Sequence, residues 1–92
     1  MAIIVNDIRT LQGIIVSDTK TFEANGIPEE FIKQLLKPQK NGVGVERDNY
    51  YMITTASLLR FAYPKYVRSF MILRQIMDAC YLRGYQYIMI NK

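Results

Sequence analysis

The chain of 92 residues contains no histidine, no tryptophan and a single cysteine, Cys80. The missing histidine removes the commonest general base and the commonest zinc ligand. With one cysteine beside it, neither a Cys–His nucleophile pair nor an intrachain disulfide can form, and a zinc site within one chain is excluded. On a predominantly apolar helix a lone cysteine behaves as a small hydrophobe. No apolar run approaches the roughly 18 residues of a membrane span, and the first residues lack a basic-then-apolar leader pattern. The expected location is therefore the cytoplasm, with no membrane partner and no cofactor.

Two further scarcities are local. The first 49 residues hold no tyrosine, and residues 49–92 hold one acid, Asp78. All seven tyrosines lie between Tyr50 and Tyr87, in the half that also carries Arg60, Lys65, Arg68, Arg74, Arg83 and Lys92. Residues 1–45 balance five basic groups against five acidic ones. Tyrosine and arginine are enriched at protein interfaces, and basic-aromatic surfaces suit nucleic acid. The C-terminal half is thus the expected recognition surface.

Size bounds the rest. A chain this short makes one domain, residues 1–92, and buries only roughly 60–65% of the surface its unfolded form exposes. Half of its residues are hydrophobic, so self-association is the simplest way to cover the surplus. A homodimer or higher oligomer is expected.

The local signals predict an α+β domain. It has a short mixed or antiparallel sheet, two or three short helices, and one long C-terminal helix followed by a closing strand. Met1–Val5 reads as a strand, and Gly13–Val16 as a second strand or an apolar helix continuation. Ser17 or Asp18 suits a helix cap, and Asn25-Gly26 a helix stop. Pro28 suits the first helical position, with Glu29 and Glu30 against the positive end of the helix dipole. Phe31, Ile32, Leu35 and Leu36 give that helix one apolar face, and Pro38 ends it. Val43–Arg47 and Tyr50–Thr54 read as a hairpin about Asp48-Asn49. Thr54 or Thr55 suits a cap for a helix over Ala56–Phe61. The long helix runs from about Lys65 to Leu82 with Gly84 as its stop, and Tyr85–Ile90 is the closing strand.

At 100° per residue, Tyr66, Phe70, Leu73, Ile76, Met77, Cys80 and Tyr81 share one face of the long helix, the expected core face. Arg68, Gln75 and Asp78 lie opposite, with Lys65, Ser69 and Arg83 toward one edge. Val67, Met71, Ile72, Ala79 and Leu82 also fall on that opposite side. A solvated face should not carry so much apolar material. The helix is therefore either central in the fold or presents Arg68, Met71, Gln75 and Leu82 to another subunit or target.

No catalytic constellation is evident. Glu29-Glu30 is explained by its place in a helix first turn. Glu46 and Asp48 flank a hairpin and make a weak cation site. Ser17, Ser57 and Ser69 have no local base. Gly42-Val43-Gly44 lacks the third glycine and the following helix of a phosphate cradle. The densest basic-aromatic cluster is Arg60, Tyr63, Lys65, Tyr66 and Arg68. Its cations can neutralise phosphates, and Tyr63 can stack on an unpaired base.

The stretch Lys65–Ile90, a helix ending in Arg-Gly-Tyr and followed by an apolar strand, resembles the segment after the cofactor loop of GNAT-type acetyltransferases. That family binds the coenzyme A pyrophosphate through bare backbone amides of an Arg/Gln-x-x-Gly-x-Gly/Ala motif. Here the equivalent stretch Arg60–Arg68 contains no glycine. The resemblance covers about a third of the chain and implies a truncated or degenerate relative without acetyl transfer.

The expected function is a small non-enzymatic interaction protein. Arg60, Tyr63, Lys65 and Arg68 bind nucleic acid or a protein that handles it, while Met71, Gln75 and Leu82 form an oligomer interface. Small, basic, motif-free chains are also a frequent type in phages and other mobile elements, where they occlude host machinery.

Overall fold

The computed structural model describes residues 13–37, 42–56 and 64–92. The expected strand over Met1–Val5, the helix over Ala56–Phe61 beyond its first residue, and the residues Pro38, Arg60 and Tyr63 lie outside them. Within them the chain runs β1 (Ile14–Asp18), α1 (Thr19–Ala24), α2 (Glu29–Leu35), β2 (Gly44–Glu46), β3 (Tyr50–Thr54), α3 (Val67–Leu82) and β4 (Tyr87–Asn91). A 3-10 helical turn over Pro64–Tyr66 leads into α3. The described strands form one mixed sheet in the order β1-β4-β3-β2. β4 pairs in parallel with β1 and antiparallel with β3, and β2 pairs antiparallel with β3.

Strand alternation sets up two layers. Ile15 and Ser17, Tyr51 and Ile53, and Ile88 and Ile90 point to one face of the sheet and are all buried. Phe22 of α1, Phe31, Ile32 and Leu35 of α2, and Phe70, Leu73, Ile76, Met77 and Cys80 of α3 join those strand residues in a single apolar cluster. The three helices therefore cover the same face. The apolar period of α2 expected from the sequence is borne out, with Leu36 just past its end also buried.

Helix ends follow the side chains. Asp18 caps α1, its carboxylate accepting from the Thr21 N–H at 2.7 Å. Both α1 and α3 close in the same way. Gly26 (φ +89°) and Gly84 (φ +89°) take the left-handed conformation. The next residues, Ile27 and Tyr85, then donate their N–H groups back to the Phe22 and Cys80 carbonyls at 2.9 and 3.0 Å. Ile27 is buried and Tyr85 packs against the core, so each turn is fixed by an apolar contact as well as by hydrogen bonds. The hairpin is also as expected: Arg47 N–H donates to the Tyr50 carbonyl at 2.8 Å, leaving Asp48-Asn49 as the two-residue loop.

Three expectations need correction. Pro28 is the extended residue before α2, not its first helical residue. The capping expected of Thr54 or Thr55 concerns a helix that lies outside the described residues. Thr54 ends β3, and the Thr55 hydroxyl donates to the Tyr85 and Gln86 carbonyls at 2.7 and 3.1 Å. The closing strand begins at Tyr87, because Tyr85 is spent on the turn after α3. On α3, Tyr81 is 58% exposed and Ser69 is buried, the reverse of their expected places. Ser69 is drawn inward by a hydrogen bond to the Gly26 carbonyl at 2.7 Å.

Candidate interaction surface on the outer face of α3

Helix α3 is held against α1 and α2 at its N-terminal half. The Ser69 hydroxyl binds the α1–α2 turn, the Tyr66 ring lies 5.3 Å from that of Phe31, and the Tyr66 hydroxyl donates to Glu30 at 2.8 Å. Ile72 packs against the core beside Gly26. With that side fixed, an arc of α3 from Tyr81 through Met71 to Arg68 faces outward. Arg68, Met71, Gln75, Asp78 and Leu82, spaced by three and four, are all exposed. The sequence reading placed Arg68, Met71, Gln75 and Leu82 together on one surface, and the structure does bring them to one face.

Among the described residues, the exposed large hydrophobics are Val67 (42%), Met71 (56%), Tyr81 (58%), Leu82 (83%) and Tyr87 (39%). Four of the five lie on α3, so the uncovered apolar surface is concentrated on one element. The alternative that α3 is covered on both sides holds only at Ile72 and Ala79, which are half-buried. A shallow depression at the C-terminal end of α3 is lined by Tyr81, Leu82, Gly84, Tyr85 and Gln86.

The cationic corner begins where α3 does. Lys65 and Arg68 are exposed, and neither has an acidic partner among the described residues. The Lys65 ammonium sits 5.5 Å from the Tyr66 ring centroid. Arg60 and Tyr63, the remaining members of the expected cluster, fall outside the described residues.

Several residues with chemical potential are absorbed by structure. Tyr51 is fully buried and donates its hydroxyl to Glu29 at 2.5 Å. Burial, then the bond to Glu29, pushes the phenol far above its ordinary value. Glu30 is taken up by Tyr66, whose hydroxyl is raised by that same bond. The Glu29-Glu30 pair thus anchors two tyrosines and is not disposed as an acid–base couple. Sequence reasoning assigned these carboxylates to the helix dipole and missed their tyrosine partners, which lie 22 and 36 residues away.

Glu46 pairs with Lys92 at 2.9 Å, and the Lys92 ammonium also lies 4.8 Å from the Tyr51 ring centroid. No group of three or more potential metal-ligating side chains occurs among the described residues. Burial pushes the Cys80 thiol up, with Arg83 opposing weakly, so the thiolate nucleophile is disfavoured. Gly44 has a packing reason to lack a side chain, since a Cβ there would stand 2.1 Å from the Met52 carbonyl oxygen. No described helix is long and apolar enough to cross a membrane.

The segment that resembles acetyltransferases corresponds to α3, its Gly84 turn and β4, which lies between β1 and β3. The stretch Arg60–Arg68 falls partly on residues outside the described set, and its described part is the Pro64–Tyr66 turn and the start of α3. Comparison with known proteins returns no match: no family model, no curated protein and no solved structure is significantly similar to this chain.

Proposed function

We propose that the protein is a non-enzymatic interaction protein that acts as an oligomer and binds nucleic acid through the cationic corner at the start of α3. Lys65 and Arg68 are the described members of that corner; the sequence groups Arg60 and Tyr63 with them. The observation that carries this reading is the division of labour on α3. Its inner face is spent on the core, its N-terminal corner presents two cations without acidic partners among the described residues, and the remaining outer face presents uncovered apolar side chains. Cations of this kind gain affinity by releasing counterions from phosphates, while Met71, Gln75 and Leu82 are suited to subunit contact.

A second reading rests on the apolar side chains themselves. Met, Tyr and Arg on one surface are the composition of a protein-recognition patch, so the target would be a protein that handles nucleic acid. The acetyltransferase-like alternative requires backbone amides bared by glycine, which Arg60–Arg68 does not supply; a titration with acetyl-coenzyme A is expected to be flat.

The test is fluorescence anisotropy with single- and double-stranded oligonucleotides. Replacing Lys65 and Arg68 together by alanine should weaken binding about tenfold or more and flatten its salt dependence by up to two phosphate contacts. Unchanged affinity would remove the corner from consideration. Absence of binding by the unaltered chain would leave the protein-target reading.

A further inference from the structure

The exposed face of α3 is complementary to itself when a second copy runs antiparallel to it. The relevant residues are Val67, Met71, Arg74, Asp78 and Tyr81, which follow one another at spacings of four, three, four and three. This is the spacing of a helix–helix seam. The order of side chains along it is apolar, apolar, cationic, anionic, apolar. Reversed about the midpoint between Arg74 and Asp78, it places opposite charges opposite each other and Met71 opposite Tyr81.

We infer that the protein forms a two-fold symmetric dimer by antiparallel pairing of α3 with α3 of a second copy. The axis passes level with Ile76. In that register Arg74 of each copy meets Asp78 of the other, and Met71 meets Tyr81 with Leu82 alongside. Val67, level with residue 85 of the second copy, enters the depression lined by Tyr81, Leu82, Gly84, Tyr85 and Gln86. The inference deepens the oligomeric part of the functional reading and rests on it.

Three observations support the second copy as occupant. Four of the five exposed large hydrophobics of the described residues are on this helix. Arg74 and Asp78 are one turn apart, yet neither has an ion-pair partner among the described residues. A cation placed four residues before an anion is the weaker of the two orders on a helix, because each charge opposes the helix dipole. Both charges are therefore open to a partner across the axis. Finally, a two-fold interface must be self-complementary, and this sequence of side chains is.

The pairing also places the cationic corners. Each Arg68 is eight residues from the axis, so the two lie about 24 Å apart along the paired helices, on opposite ends of the dimer. The seam leaves Lys65 and Arg68 uncovered.

The test uses charge reversal and mixing. Arg74→Asp and Asp78→Arg are made separately in the full chain, with circular dichroism confirming that each folds. Self-association is read by sedimentation equilibrium at concentrations up to about 0.1 mM, a range that detects weak and standard interfaces alike. The unaltered chain is expected to dimerise. Each variant alone sets like charges opposite each other twice and should associate at least about tenfold more weakly. An equimolar mixture of the two variants brings a seam with two anions against a seam with two cations. Opposite charges then meet at both places, and association should return.

A monomeric unaltered chain would overturn the inference. So would a dimer indifferent to both substitutions, or a mixture that stays apart. Neither substitution touches Lys65 or Arg68, so oligonucleotide binding by the same samples reports separately. A monomer that binds overturns the pairing alone, and a dimer that pairs as described but does not bind overturns the nucleic-acid reading alone.

Discussion

The Ser69 hydroxyl donates to the Gly26 carbonyl at 2.7 Å, and this contact fixes the rotation of α3 over the α1–α2 turn. Gly26 is the left-handed residue that ends α1, with φ +89°, and a Cβ there would stand 3.0 Å from the Ile72 Cδ1. Turn, serine and isoleucine together decide which side of α3 faces outward. Ser69→Ala should cost about 1–2 kcal/mol, since it leaves a part-buried carbonyl without its donor. Gly26→Ala should cost about 1–2 kcal/mol for the left-handed backbone alone, plus the crowding of Ile72. Urea denaturation measures both.

Gly44 faces a harder limit. Its missing Cβ would overlap the Met52 carbonyl oxygen at 2.1 Å and press on Leu36 at 3.0 Å. The first neighbour is backbone in the paired strand and cannot swing aside. Gly44→Ala should therefore cost about 3 kcal/mol or more and loosen the β2–β3 hairpin. Faster amide hydrogen exchange across that hairpin than in β4 is the expected signature.

The bond from Tyr51 to Glu29 ties β3 to the first turn of α2. Tyr51→Phe should lose about 1.5–3 kcal/mol, the range for a bond to a charged acceptor. It also predicts a pH dependence. The folded phenol is raised above its ordinary value of 10.0, so the folded state holds its proton more tightly than the unfolded state does. That stability is fully present below pH 10 and is lost as pH rises above it. Stability should begin to fall above about pH 10 in the unaltered chain. In Tyr51→Phe this part of the pH dependence should be much reduced, as followed by circular dichroism.

Leu82 is 83% exposed at the last turn of α3. Leu82→Glu should leave the unfolding free energy of the separated chain within about 0.5 kcal/mol of the unaltered protein. If α3 is the subunit interface, the same substitution should lower the mass in solution, read by light scattering. Loss of folding stability with no change in mass would mean that Leu82 serves the fold.

Much of the fold is legible in the sequence because its signals are local. The cap at Asp18, the stops at Gly26 and Gly84, the apolar period of α2 and the two-residue loop Asp48-Asn49 each depend on a few neighbouring residues. What is not legible depends on contacts across the chain. Ser69 looks solvated on a helical wheel, and only the carbonyl of Gly26, 43 residues away, draws it inward. Tyr81 sits at the margin of the apolar arc. There the wheel does not say whether the sheet reaches it, and the sheet does not. Of the candidate site, the outward face of α3 follows from its period, and Arg68, Met71, Gln75 and Leu82 are exposed on it. The Arg74–Asp78 relationship emerges only once a second helix is considered.

The most direct test of the central claim, that the cationic C-terminal half binds nucleic acid as an oligomer, is light-scattering mass in solution with a mixed-sequence oligonucleotide at low and moderate salt. The expected result is an oligomeric mass that rises when oligonucleotide is added and falls back as salt increases. An unchanged mass with either single- or double-stranded oligonucleotide at low salt would contradict it.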